Sequence, residues 1–203
     1  MIIDSSIPAV SGWLLSGGQG QRMGGRDKGL QPYEGRPLAA WVIDRLRPQV
    51  DWLGISANRH LPAYEALLGA QHVYRDASDL PPESGPLAGI LTGLREAPGD
   101  WLMVCPCDGP RLPTDLVAML LSAAQAQGAD IVTPTTTDDA DVRPHWVCSL
   151  IHKRVYPALH DQFVKGERKV GRFIQSTNWA AVSFPDASAF VNMNTLEALH
   201  GRV

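Results

Sequence analysis

The stretch from Leu15 to Leu30 reads Leu-Ser-Gly-Gly-Gln-Gly-Gln-Arg-Met-Gly-Gly-Arg-Asp-Lys-Gly-Leu and gathers the residue types that hold phosphate. Gly17, Gly18, Gly20, Gly24, Gly25 and Gly29 carry no Cβ, so their backbone can approach a ligand closely and offer its N–H groups as a nest for anionic oxygens. Arg22, Arg26, Lys28 and Arg36 outnumber Asp27 and Glu34 in the same region, although the chain as a whole carries a net charge of −3. Flexible backbone and local positive charge together predict a polyphosphate-binding loop. Two familiar designs are excluded by spacing. A P-loop needs Ser or Thr directly after its lysine, where this chain has Gly29. The dinucleotide fingerprint needs a third glycine where this chain has Met23.

A second constellation is Cys105-Pro106-Cys107-Asp108-Gly109-Pro110, which follows the apolar run Trp101 to Cys105. A carboxylate at the end of a buried strand, fixed between two prolines, has no packing role. It offers a hard oxygen ligand suited to Mg²⁺, which takes one or two protein carboxylates together with substrate phosphates. Lys165, Arg168, Lys169 and Arg172 surround the lone Glu167 in a second basic segment, a candidate for another phosphate. Asn192 and Asn194 bring amide donors, and Asn194 with Glu197 also has the spacing of a helix N-cap and its return bond. His60, His72, His145, His152, His160 and His200 show no His-Glu-x-x-His spacing, and the chain lacks a Gly-x-Ser-x-Gly elbow. Cys105, Cys107 and Cys148 are too few and too unevenly spaced for a disulfide framework or a Cys-x-x-Cys zinc site.

The elements that must position these residues alternate along the chain. Strands are predicted at Ala9–Leu15, Trp52–Ala57, His72–Tyr74, Trp101–Cys105, Ile131–Thr133, Trp146–Leu150 and Ala180–Phe184. Helices are predicted at Pro37–Arg47, Pro62–Leu68, from Gly85 to about Arg95, from Thr114 or Pro113 with Leu116, Met119, Leu120 and Ala123 on one face, at Val155–Phe163, and after Asn194. Ala77–Ser84 is expected to be a loop able to act as a lid, Thr135–Asp141 an exposed loop, and the first eight residues a tail. Strand–helix alternation predicts an α/β fold, a doubly wound, Rossmann-like domain with a mostly parallel central sheet. In such sheets a ligand lies beyond the carboxyl ends of the strands, where Leu15, Asn58 and Asp76 emerge together.

With 203 residues and 44% hydrophobic content, the whole chain, 1–203, is expected to form one domain. Its nucleotide-binding half would span about 9–112 and its acceptor half about 113–203. No apolar stretch approaches the roughly 20 residues of a membrane span. The N-terminal region lacks the basic and apolar regions of a secretory signal. The acidic balance disfavours nucleic-acid binding. A cytoplasmic protein is expected.

The motif residues carry a resemblance. Leu15, Gly17, Gly18, Arg22, Met23, Gly24, Asp27 and Lys28 match Leu-Ala-Gly-Gly-x-x-x-Arg-Met-Gly-x-x-Asp-Lys, the opening signature of a nucleotidyltransferase group, with Ser16 replacing alanine. Pro106-Cys107-Asp108-Gly109-Pro110, Asn58-Arg59-His60, Gly85-Pro86-Leu87-Ala88-Gly89, Gly166-Glu167-Arg168-Lys169-Val170 and Phe190-Val191-Asn192-Met193-Asn194-Thr195 also look like segments of that group. The chain resembles the molybdenum cofactor guanylyltransferase family over almost its full length. The resemblance implies transfer of GMP from GTP to the terminal phosphate of Mo-molybdopterin, with Mg²⁺ as cofactor and pyrophosphate as product. It also implies transient contacts with cofactor-supplying and molybdoenzyme-maturation proteins. By the same resemblance Leu15, Ser16, Gly17 and Gly18 meet the nucleotide, Lys28 its phosphates, and Asp76 the nucleoside. Arg22, Lys28 and Asp108 serve catalysis, Asp108 through the metal, and Arg168, Lys169, Asn192 and Asn194 face molybdopterin. The family's asparagine before Asn58 is replaced by Ser56, which leaves Ser56 and Asn58 as candidates for reading the base. Related cytidylyltransferases carry Leu-Ala-Ala-Gly and Pro-Lys where this chain has Gly17 and Asp27, which favours GTP over CTP. The alternatives are a cytidylyltransferase on the same cofactor and a non-catalytic nucleotide- or cofactor-binding protein, the latter expected to lose Arg22, Lys28 or Asp108.

Overall fold

A computed structural model describes residues 9–16, 27–81, 84–138 and 141–193. The chain begins with β1 (Val10–Ser16), a hairpin of β2 (Pro32–Tyr33) and β3 (Arg36–Pro37), α1 (Leu38–Leu46), β4 (Trp52–Ala57), α2 (Leu61–Leu68) and β5 (Val73–Tyr74). It continues through α3 (Pro86–Glu96), β6 (Trp101–Pro106), α4 (Leu116–Gln127), β7 (Ile131–Asp138), β8 (Asp141–Pro144) and β9 (Ser149–His152). The last described elements are α5 (Tyr156–Val164), α6 (Val170–Gln175) and β10 (Trp179–Ser183).

Apart from the small β2–β3 hairpin, the strands form one sheet ordered β10-β7-β9-β6-β1-β4-β5, with β8 joined to β7. β1 lies inside the sheet, paired in parallel with both β4 and β6. Such a strand must be apolar on both faces, and six of its seven residues are buried. The sheet is parallel except for β9, antiparallel to β6 and β7, and β8, antiparallel to β7. Two apolar layers cover it. Ala39, Val42, Ile43 and Leu46 of α1 pack with Leu116, Leu120 and Ala124 of α4 on one face. Leu87, Ile90, Leu91 and Leu94 of α3 pack with Leu159 and Phe163 of α5 and Phe173 and Ile174 of α6 on the other. This is the expected doubly wound arrangement with a mostly parallel sheet.

Several expectations need correction. The segment from Thr135 to Asp141 is no exposed loop: β7 runs on to Asp138 and turns back as β8, with Thr135 and Thr136 buried. β-branched threonines suit a pleated, half-buried surface, and that preference outweighs their polarity here. The strand expected from Trp146 starts only at Ser149, because the Cys148 N–H donates to the His145 carbonyl at 2.7 Å and closes a turn. Pro37 pairs with Pro32 in the hairpin and α1 starts at Leu38, so the proline stands outside the helix. Met119 is exposed, and α4 buries Leu116, Val117, Leu120, Leu121 and Ala124 instead. Arg172, read as part of a basic segment, lies within α6. The tail over the first eight residues and the helix after Asn194 lie outside the described residues. Among the described residues no helix is long and apolar enough to cross a membrane.

Candidate active site

The order of strands creates the site. From β1 the chain winds outward through β4 to β5, then returns to lay β6 on the other side of β1. A crevice opens where the winding reverses, beyond the carboxyl ends of β1 and β6. Asp108 follows β6 at that edge and is 5% exposed. Lys28, on the return from residues 17–26, brings its Nζ to 3.4 Å from the Asp108 Oδ2. Burial pushes the Asp108 carboxyl above the usual carboxylate range, and the Lys28 ammonium only partly offsets this. The turn is braced from both sides. The Cys107 N–H donates to the Leu15 carbonyl at 3.2 Å, and the Met193 N–H donates to the Asp108 carbonyl at 2.9 Å. The Cys107 thiol, buried beside Asp108, is pushed up to about 12 by desolvation first and that carboxylate second, so it is no nucleophile.

Residues 17–26 lie outside the described residues, but both their anchors are described. Ser16 ends β1, and its hydroxyl donates to the phenolic oxygen of Tyr64, which in turn donates to Asp27 Oδ1 at 2.5 Å. Asp27 also accepts from the Gly29 N–H at 3.2 Å, capping the short turn that carries Lys28. A Cβ on Gly29 would lie 2.5 Å from the Tyr64 hydroxyl and 3.0 Å from Cys107 Sγ, so close approach requires glycine there.

A second polar cluster sits beyond β4 and β5. The Ser56 hydroxyl donates to Asp76 Oδ1 at 2.8 Å, and the Asn58 amide donates to Oδ2 at 2.7 Å. The Asp76 N–H returns a bond to Asn58 Oδ1 at 3.0 Å. Ser56 and Asn58 therefore hold the Asp76 carboxylate. Gly89 of α3 comes so near that a Cβ there would lie 2.7 Å from Leu15 Cδ2 and 3.1 Å from Ser56 Oγ, which joins this cluster to the end of β1.

On the far side of Asp108 a cavity of about 180 Å³ is lined by Gly109, Arg143, His145, Trp146, Phe190 and Asn192, among others. His145 stacks on Phe190 with ring centres 4.5 Å apart, and its Nε2 lies 2.9 Å from the Thr136 hydroxyl. Burial, with Arg143 nearby, lowers its pKa to about 4, so it is neutral at physiological pH. The N-terminal end of α6 approaches this cavity, since a Cβ on Gly171 would lie 2.8 Å from Trp146 Cδ1. Arg168 is committed elsewhere. Its Nη1 donates to the Phe163 carbonyl at 2.6 Å and its guanidinium lies 4.1 Å from the Phe163 ring centre, closing the end of α5. Glu167 accepts from the Arg168 and Lys169 backbone N–H groups and meets Arg172 at 3.5 Å, while Lys165 pairs with Asp161 at 2.7 Å, so two of the segment's four cations have carboxylate partners.

The structure thus brings together Leu15, Ser16, Lys28 and Asp108, with Ser56, Asn58 and Asp76 beside them and Asn192 next to Gly109. It does not join Arg168 to them. Gly17, Gly18, Arg22 and Asn194 lie outside the described residues. Tyr64 was missed by sequence reasoning. It is the one buried residue of α2, and no periodicity reveals that its hydroxyl meets residues distant in the chain.

A family model described as the MobA-like NTP transferase domain matches residues 12–182. The molybdenum cofactor guanylyltransferase of Cupriavidus necator is 44% identical over 191 residues, covering 94% of each chain. That of Burkholderia lata is 43% identical over 197 residues, covering 96% of each. Among solved structures, molybdopterin-guanine dinucleotide biosynthesis protein A from Archaeoglobus fulgidus superposes with a TM-score of 0.72 at 20% identity, covering 94% of this chain and 95% of that one. The 2-C-methyl-D-erythritol 4-phosphate cytidylyltransferase from Thermus thermophilus superposes at 0.68 with 14% identity, covering 93% and 94%. Two enzymes with such different names share this architecture, so the fold alone leaves the nucleotide open. Sequence identity across nearly the whole chain is narrower: the protein belongs to the MobA-like NTP transferase family, among the molybdenum cofactor guanylyltransferases.

Proposed function

We propose that the protein transfers GMP from GTP to the terminal phosphate of Mo-molybdopterin, forming Mo-molybdopterin guanine dinucleotide and pyrophosphate. The relatives' names support the reaction, and the observation that carries it to this chain is the Lys28–Asp108 pair at the crevice between β1 and β6. A terminal phosphate oxygen attacks the α-phosphorus of GTP. The new P–O bond forms as the bond from that phosphorus to the α–β bridging oxygen breaks, and pyrophosphate departs with the electron pair. The attacking oxygen is already anionic, so no general base is required, and catalysis consists of positioning and charge stabilisation. Bringing two unit negative charges to ~4 Å costs about 4 kcal/mol at an effective dielectric near 20. Lys28 offsets that repulsion, and Arg22 is assigned the same role by its motif position.

Mg²⁺ fits the donor set. Among the described residues no three His, Cys, Asp or Glu side chains converge on a cage. The crevice instead offers the buried carboxylate of Asp108, which matches a cation that keeps most of its coordination for phosphates and water. When bound, Mg²⁺ supplies positive charge to the triphosphate. On the nucleotide side we assign Leu15, Ser16, Gly17, Gly18 and Lys28 to GTP. Asp76 takes the nucleoside, with Ser56 and Asn58 orienting it. On the acceptor side we assign Lys169, Asn192 and Asn194 to molybdopterin, with Arg168 shaping the α5–α6 corner. Cys105, Cys107 and Cys148 are free, buried thiols, which accords with a reducing cytoplasm, where cofactor-supplying and molybdoenzyme-maturation proteins would meet this one in passing.

Calorimetric titration of GTP, CTP and ATP in Mg²⁺, on the wild type and Asp108→Ala, tests the reading. Selective GTP binding that weakens and loses its Mg²⁺ dependence in the variant is expected. Preference for CTP, or equal binding of all three, would overturn the guanylyl assignment, and a variant with wild-type turnover would overturn the role of Asp108.

A further inference from the structure

Tyr64 projects from α2 and is fully buried. Its hydroxyl sits between Ser16, the last residue of β1, and Asp27, which stands directly before Lys28. These two residues flank residues 17–26 in the chain, so one phenol bridges the last residue of β1 and the residue directly before Lys28. The direction of the bonds follows from chemistry. An ionised carboxylate only accepts, so the phenol must donate to Asp27, and its oxygen is then available to accept from Ser16. Burial first, then nearby Cys107 and Asp27, push the phenol's pKa far above the ordinary tyrosine value, so it remains a donor across the working pH range. Asp27 in turn takes the Gly29 N–H, and the backbone at Gly29 passes between the Tyr64 hydroxyl and Cys107 with no room for a side chain. Lys28 is therefore fixed at both neighbours, Asp27 and Gly29.

We infer that Tyr64 is a positioning residue for the nucleotide: its hydroxyl clamps the end of β1 to Asp27 and so sets Lys28 opposite Asp108. The inference rests on the proposed GTP chemistry and names a determinant of it that touches neither substrate. The clamp acts through Lys28, which is assigned to the nucleotide's phosphates, so its loss falls first on GTP. Substitution Tyr64→Phe keeps the ring and its packing and deletes only the two hydrogen bonds.

Titration of GTP with Mg²⁺ on the wild type and Tyr64→Phe, with steady-state kinetics and thermal unfolding of both, tests this. About tenfold weaker GTP binding is expected, on the scale of one buried hydrogen bond to a charged group, with a matching rise in KM for GTP. The KM for molybdopterin should be unchanged. A double-mutant cycle with Asp27→Ala adds an independent readout: if Tyr64 acts through Asp27, the double variant loses no more GTP affinity than the worse single variant. Unaltered GTP affinity in Tyr64→Phe overturns the inference. So do equal losses for both substrates accompanied by a lower melting temperature, which would mark Tyr64 as packing only, and so does strict additivity in the cycle. A wild type that binds no GTP overturns the proposed function itself and this inference with it, whereas a GTP-binding wild type matched by Tyr64→Phe overturns the inference alone.

Discussion

Asp108 shows how a single residue carries opposed demands. The proposed reaction needs its negative charge, yet the residue is almost fully enclosed and its carboxyl pKa is raised by that enclosure. Raised in the folded state, it makes the unfolded chain release its proton first. Stability is therefore lost as pH climbs from the ordinary carboxylate value, about 4, through the folded value of Asp108. The neutral substitution Asp108→Asn should escape that cost. Without nucleotide at pH 7 the variant should melt at a higher temperature than the wild type, and the gap should close below pH about 4. Turnover should fall about a hundredfold or more, as when a group aimed at transition-state charge is removed. Paired melting curves across pH check the first point, and a variant less stable than wild type at pH 7 would refute it. Cys107 and His145 stand near the same turn but are held neutral, so neither competes for this role.

At the scale of elements, the site depends on how closely α3 approaches the sheet. The Trp13 indole on β1 donates to the Gly89 carbonyl at 2.8 Å, which pins the helix where a Cβ would collide with Leu15 and crowd Ser56. Substitution Gly89→Ala must push the helix back or displace the end of β1 and the Ser56–Asp76 pair. Such overpacking should cost about 1–3 kcal/mol, measured by urea unfolding. It should also weaken GTP binding, because the disturbed atoms border the Ser56–Asn58–Asp76 cluster proposed for the nucleoside. Wild-type stability together with wild-type affinity would mean that α3 yields freely. The Gly85-Pro86-Leu87-Ala88-Gly89 run was legible as the start of a helix. Its partner, the tip of Leu15, was not, because contact between α3 and β1 is set only when the helix packs on the finished sheet.

Across the whole molecule, β9 decides how the two halves are joined. It inserts antiparallel between β6, from the expected half 9–112, and β7, from the expected half 113–203, so one sheet runs through both. Each apolar layer likewise draws helices from both halves. Neither half can unfold without exposing the other's core. Scanning calorimetry should therefore give one transition with equal calorimetric and van't Hoff enthalpies, and GTP at about a hundredfold over its Kd should add about 2.7 kcal/mol to the unfolding free energy. Two separable transitions would show that the halves are independent domains.

What the sequence determined by itself was local and chemical. Strand–helix alternation implied a doubly wound sheet, the glycine-rich run implied a phosphate site, and Asp108 stood out because nothing in packing explains a carboxylate between two prolines. These are properties of neighbours along the chain, governed by periodicity, backbone freedom and side-chain chemistry. The tertiary structure alone decided the rest. Burial of Thr135 and Thr136 turned an apparent loop into strand, and the Phe163 carbonyl claimed Arg168. Asn58 and Ser56 were bound to Asp76, and Tyr64 reached Ser16 and Asp27. Each of these rests on hydrogen bonds or desolvation between groups that meet only after the chain has folded, and no spacing in a linear sequence encodes which distant partner will satisfy a buried polar atom.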